Sequence, residues 1–199
     1  MADDGRTGKT FFLNTPADFL EKLRWEKDAL WASASFDLQQ RAYMVMNCAI
    51  TAWQMKDWVY SALQVSNRLK DLDDYAGRAI TSSSDFGVYL TGACQQMRLA
   101  YQIATASKHR EVTKNNNPNV RAEVRTIHIE LRGGYERDEL FVLDGQESMV
   151  AHDLICRLYF YWKGVLHDLG LIAEGESFVS SGDTPSQPGT PRLRLKRPD

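Results

Sequence analysis

From Ala42 to Met55 the chain carries fourteen consecutive residues without an Asp, Glu, Lys, Arg or His, although charged residues make up 25% of the whole. Such a run is too short to cross a bilayer, which takes about 20 apolar residues. It is also too apolar for a surface helix with one wet face. It lies inside a longer stretch, Asp37 to Gln64, in which Leu38, Ala42, Val45, Ala49, Ala52, Trp53, Tyr60 and Leu63 recur at helical spacing. At about 1.5 Å per residue, these 28 residues make a rod of about 42 Å. A rod apolar nearly all round has to be covered on several sides. The spacing therefore predicts a central helix with the other elements laid against it.

Those other elements are also helical for most of the chain. Thr15-Pro16-Ala17-Asp18 reads as a cap, a first-position proline and an acid near the positive end of a helix. Phe19, Leu20, Leu23 and Leu30 follow on one face, and Ser33–Phe36 reads as the break. Asn67–Gly77, with its KDLDD run, reads as a polar connector. Ser82-Ser83-Ser84-Asp85 offers N-cap candidates for a third helix from about Phe86 to His109. Its Gly92, Ala93, Ala100, Ala104 and Ala106 allow close approach to Ala49 and Ala52 of the central rod.

Beyond Asn115–Asn119, a loop by composition, the period changes to two. Ala122 and Val124 alternate with charged residues, then Ile127, Ile129 and Leu131 do so with the opposite parity, which predicts a bulge or bend between Val124 and Ile127. Gly133-Gly134 makes the turn and Glu139–Leu143 returns as a hairpin. A last helix is expected from Asp144, with Glu147 completing a capping box, through Val150, Leu154, Leu158, Trp162, Val165 and Leu169 to a stop at Gly170. The expected fold class is mainly α: a bundle of four main helices with a small antiparallel β-hairpin inserted before the last. Residues 1–14 are expected to be a flexible N-terminus and 15–172 a single helical domain, with the hairpin at about 120–143. Residues 173–199 are expected to be a flexible Ser/Pro-rich tail ending in the basic Arg192–Arg197.

Composition narrows the function classes. A formal net charge of −2 supplies no global positive field to recruit nucleic acid. The N-terminus lacks the apolar core of a secretory signal, so a cytoplasmic protein with no membrane association is expected. Cys48, Cys94 and Cys156 lie far apart in apolar segments and read as small buried hydrophobes. Gly8-Lys9-Thr10 lacks the earlier glycine of a phosphate-binding loop, since Asp3 stands five residues before Gly8. His109, His128, His152 and His167 show no ligand spacing. Neither a metal site nor a cofactor is expected.

The densest polar constellation is Ser107-Lys108-His109-Arg110 at the end of the third helix. Cations there complement the helix dipole, which alone would account for them. The functional reading is a cationic site in which Lys108 and Arg110 hold a phosphate or carboxylate and His109 exchanges a proton near neutral pH. On the central rod, Asn47, Thr51, Gln54 and Trp58 stand at spacings of 4, 3 and 4, beside Asp57. Asp57 paired with Lys108 or with the His109 ring would tie the two helices, either as a structural pin or as half of an acid–base pair.

The segments Ala49-x-x-Ala52-Trp53-x-x-x-Asp57-Trp58 and Ile103-Ala104-x-x-Ser107-Lys108-His109 resemble an uncharacterised bacterial helical family over about Arg41–Leu169. This chain departs from that family at Gln102, where Asp is usual, and at Thr105, where Asn is usual. The layout is also distantly similar to HEPN-type domains of bacterial defence and toxin–antitoxin systems, some of which are metal-independent ribonucleases. Their signature is an Arg, four to six residues, then a His. Here Arg98 precedes His109 by ten intervening residues, so the motif is broken. The resemblance implies a non-catalytic helical interaction module, a subunit of a bacterial defence, toxin–antitoxin or stress complex with a protein partner or a second copy of itself. The alternative is a ribonuclease using His109 with Lys108 and Arg110 on RNA. No catalytic residue is assigned beyond the candidate His109, and the binding candidates are Asp57, Lys108, His109 and Arg110.

Overall fold

A computed structural model describes residues 10, 12–33, 37–108, 117–129 and 134–173. It is mainly helical, with a small antiparallel sheet before the last helix. Helix α1 (Pro16–Ala32) starts as its residues dictate. The Thr15 hydroxyl accepts from the Asp18 amide at 3.1 Å, and the Asp18 carboxylate accepts from the Thr15 amide at 2.9 Å. Helix α2 (Leu38–Val65) is one unbroken rod of 28 residues, capped by Asp37 accepting from the Gln40 amide. Its Cys48, Ala49, Ala52, Met55, Val59 and Leu63 are fully buried.

Two helical expectations need correction. The KDLDD run is not a connector: it forms α3 (Leu69–Ala76), which ends on Gly77 in the left-handed region at φ 65°. Leu69, Leu72 and Ala76 make a short apolar stripe beneath the charges, and Leu72 is fully buried. The single third helix is two, α4 (Ser83–Ala93) and α5 (Gln95–Lys108), separated by Cys94 in extended backbone at φ −136°, ψ 117°. Gly92 weakens the helix there by about 1 kcal/mol relative to Ala. The bend lets each half pack separately on the rod. At Gly87 of α4 a Cβ would stand 3.0 Å from the Trp53 ring, whereas α5 brings its fully buried Ala100 into the core shared with Ala52.

Among the described residues the sheet has three strands, not two, in the order β1 (Val120–Ile129), β2 (Tyr135–Asp144), β3 (Glu147–Val150). Asp144 and Glu147 do not cap a helix. They flank the Gly145-Gln146 turn, with Gly145 at φ 64°, and the chain returns as β3 before α6 (Ala151–Asp168) begins. Asp-Gly is a strong hairpin signal, and here it prevails over the capping pattern. The anticipated bulge is absent as well: β1 and β2 pair without interruption from Val120↔Asp144 to Ile129↔Tyr135. The change of parity is met by using both faces. Ala122, Val124, Leu140 and Val142 line a cleft against the helices, while Ile127, Ile129, Phe141 and Leu143 form a second apolar cluster.

Helix α6 crosses α2 with Trp162 fully buried, its indole Nε1 donating to the Ala52 carbonyl at 2.8 Å. Gly170, at φ 59°, ends the turn after it. No described helix is long and apolar enough to cross a membrane. Because the indole fills a site enclosed by helices on more than one side, Trp162→Ala should lower unfolding free energy by about 3–5 kcal/mol in urea titrations. Trp162→Phe, which keeps most of the volume and drops the hydrogen bond, should cost clearly less, about 1–2 kcal/mol.

Candidate functional site

The residues singled out on α2 and α5 do not converge. Asp57 Oδ1 accepts from the Ser83 hydroxyl and from Lys56 Nζ, each at 2.6 Å, at the junction of α2 with the start of α4. Trp53 and Tyr101 are in ring contact, and Val45 and Met46 share a cleft with Ile103, so α2 and α5 run antiparallel. Asp57 lies four residues from Trp53 in one direction and Lys108 the equivalent of seven in the other, about 16 Å of helix apart. The expected tie between Asp57 and Lys108 is therefore corrected: Asp57 holds α2 to α4. His109 and Arg110 lie outside the described residues. Of the neighbouring polar set, Thr51 is buried and accepts from Lys22 Nζ, Trp58 stacks on Phe19 with centroids 4.8 Å apart, and Asn47 and Gln54 are exposed. Asp57 also borders a shallow groove of about 430 Å³ with Asn14, Trp58 and Ser61.

The structure instead assembles a cleft of about 250 Å³ between the bundle and the sheet. Ala42, Val45 and Met46 of α2, Ile103 of α5 and Ala151 of α6 form its helical walls. Ala122, Val124, Leu140 and Val142 form the sheet wall, and the lining includes one ionisable residue, Glu123. Val124, at the cleft wall, is 54% exposed. A lining so largely apolar suits apolar contact.

Two polar locks hold the sheet where this cleft can form. Arg41, in the first turns of α2, pairs with Glu139 of β2, and both are buried. A cation near a helix N-terminus opposes the dipole, so Arg41 depends on that carboxylate. Glu139 also accepts from Arg137 at 3.0 Å. On the other side Arg98 of α5 pairs with Asp144 at 2.8 Å, and Asn117 Nδ2 donates to the same carboxylate. The Arg98 guanidinium holds the Asp144 carboxyl below its ordinary range.

A third cluster was not foreseen. Burial pushes the Cys48 thiol up to about 12, in keeping with a small buried hydrophobe, but Cys156 is half-buried and its sulfur lies 3.5 Å from His152 Nε2. His152 Nδ1 faces Asp153 at 3.8 Å, and its ring packs on Trp31. The sequence signal was the spacing of four between His152 and Cys156, which places them on one helix face. Comparison with protein-family models, with curated proteins and with solved structures gives no match to this chain.

Removing one partner of a buried pair strands the other. Glu139→Ala should lower unfolding free energy by about 3 kcal/mol in urea, whereas the double replacement Arg41→Met with Glu139→Leu should recover most of that loss. His152 is pushed up to about 9, first by Asp153 and then by Cys156. The stabilisation from its cation is complete below the ordinary histidine value of 6.5 and is lost as pH rises through about 9. Melting temperature should accordingly fall between those limits in the wild type and fall less in His152→Ala.

Proposed function

We propose that the chain is a non-catalytic helical interaction module, a subunit of a bacterial defence, toxin–antitoxin or stress complex. The reading is carried by the cleft between bundle and sheet, whose walls are apolar apart from Glu123 and whose Val124 wall stands open to solvent. A surface of that kind contributes binding free energy by excluding water. Asp57, the acid expected to work with Lys108, is engaged with Ser83 and Lys56, which leaves an acid–base mechanism on that pair without support.

The ribonuclease alternative is separated by one experiment. Single-stranded RNA incubated with purified wild type and with His109→Ala should stay intact to the same extent in both. Cleavage by the wild type that is lost in His109→Ala would overturn the module reading. The positive arm places a charge in the cleft. Met46→Glu, checked for folding by its melting curve, should lose a protein partner that the wild type retains in parallel affinity captures from the source cells.

A further inference from the structure

Among the described residues β1 is an outer strand, paired with β2 on one side. An open edge ten residues long is a template for another strand. Along it Arg121, Ala122, Val124, Thr126 and His128 are exposed, and among the described residues no strand pairs with its outer side. The chemistry along that edge selects its own partner. A two-fold axis normal to a sheet keeps each face with itself, so two copies of β1 can pair only in registers that match odd with odd and even with even positions. Each register centred on an odd charged position fails. Centred on Glu123, Arg121 of each copy faces Arg125 of the other; centred on Arg125, that residue faces itself. Centred on Ala122 the overlap shrinks to Val120–Val124. Centred on Val124, Glu123 of each copy faces Arg125 of the other on both sides of the axis, Val124 meets Val124, Ala122 meets Thr126, and the ladder extends from Val120 to His128.

We infer that the chain forms a homodimer by antiparallel pairing of two β1 strands in the register centred on Val124, joining two three-stranded sheets into one of six. This rests on the interaction-module reading and names one partner, a second copy. Glu123 and Arg125 already lie 3.0 Å apart along one strand, so their charges stand on the face where the partner's complementary pair would arrive. On the other face Val124 and Ala122 continue the cleft wall to the axis, and the two clefts meet there as one apolar strip. A single strand edge is a small interface, so the dimer should be weak, with dissociation in roughly the micromolar range.

The full chain, examined by sedimentation across a concentration series, should move from 22.7 kDa towards twice that mass. Val124→Lys, which sets two cations face to face at the axis, should remain monomeric with an unchanged melting curve. Glu123→Arg alone and Arg125→Glu alone should each be monomeric. An equimolar mixture of the two should dimerise, because arginines of one copy then face glutamates of the other at both positions. Val124→Cys should form an intermolecular disulfide under mild oxidation, since residues directly opposite in an antiparallel pair lie within disulfide reach; this arm stands even if Arg125→Glu fails to fold. A wild type monomeric at every concentration, a dimer indifferent to Val124→Lys, or absence of the Val124→Cys crosslink would overturn the inference. A monomeric wild type that still loses its partner on Met46→Glu sinks the dimer alone. Ribonuclease activity dependent on His109 sinks the module reading even if the dimer forms.

Discussion

The almost uncharged middle of α2 sets the terms for the rest of the molecule, because a helix apolar on nearly every side is unstable in water until it is covered. Cys48, Ala49, Ala52 and Met55 are all fully buried, and the small side chains among them let neighbouring helices come close. Close approach increases dispersion contacts but leaves little room for error, so large side chains must be placed where space remains. Trp162 takes one such space, and its indole finds a carbonyl partner on α2 rather than remaining unsatisfied. Gly87 marks another: α4 lies so near Trp53 and Lys56 that a Cβ would press on both.

The sheet is a later addition to this core in physical terms. An isolated hairpin is marginal in water, and β1–β2 gains stability by laying Leu140 and Val142 against the bundle. What fixes its position is polar. Arg41–Glu139 anchors one region and Arg98–Asp144–Asn117 another, so the sheet is held to α2 and α5 at separate points. A buried pair such as Arg41–Glu139 contributes little net stability against apolar replacements of equal volume, but it strongly disfavours misplacement, because any shift leaves a charge stranded. The locks fix placement more than they add stability.

Much of this was legible from local chemistry. Thr15, Pro16 and Asp18 start α1 residue by residue, Asp37 caps α2, and the stripe from Leu154 to Leu169 runs along α6 as its spacing demands. The failures in α3, at Asp144 and in β1 share a cause: two local signals competed and tertiary context decided between them. In α3, Asp71, Asp73 and Asp74 hid the stripe of Leu69, Leu72 and Ala76. At Asp144-Gly145 a hairpin turn overrode a capping pattern. The parity change in β1 reads as a defect only if one face is buried, whereas the second half of β2, Glu139–Leu143, is covered on both. The expected Asp57–Lys108 contact failed on direction. Antiparallel neighbours put their C-terminal ends at opposite ends of the bundle, and both residues lie towards the ends of their helices. Arg41 and Glu139 are 98 residues apart, and no local pattern announces such a pair.

The division of labour between bundle and sheet sets where the proposed binding surfaces lie. The helices satisfy themselves: their apolar stripes meet one another, and acids among them are engaged at the start of α4, where Asp57 accepts from Ser83 and Asp85 accepts from Arg78 and the Thr81 amide. The sheet is different. It has a strand edge among the described residues, one face forming a cleft wall with open apolar side chains, and a charge sequence, Arg121-x-Glu123-x-Arg125, whose opposite charges face each other in the long register centred on Val124. A chain under selection only for stability would cover or blunt such an edge with a bulge, a proline or a like-charged row. β1 instead runs ten residues in unbroken register with β2 and presents alternating opposite charges. The pairing proposed for two β1 strands draws on that combination directly.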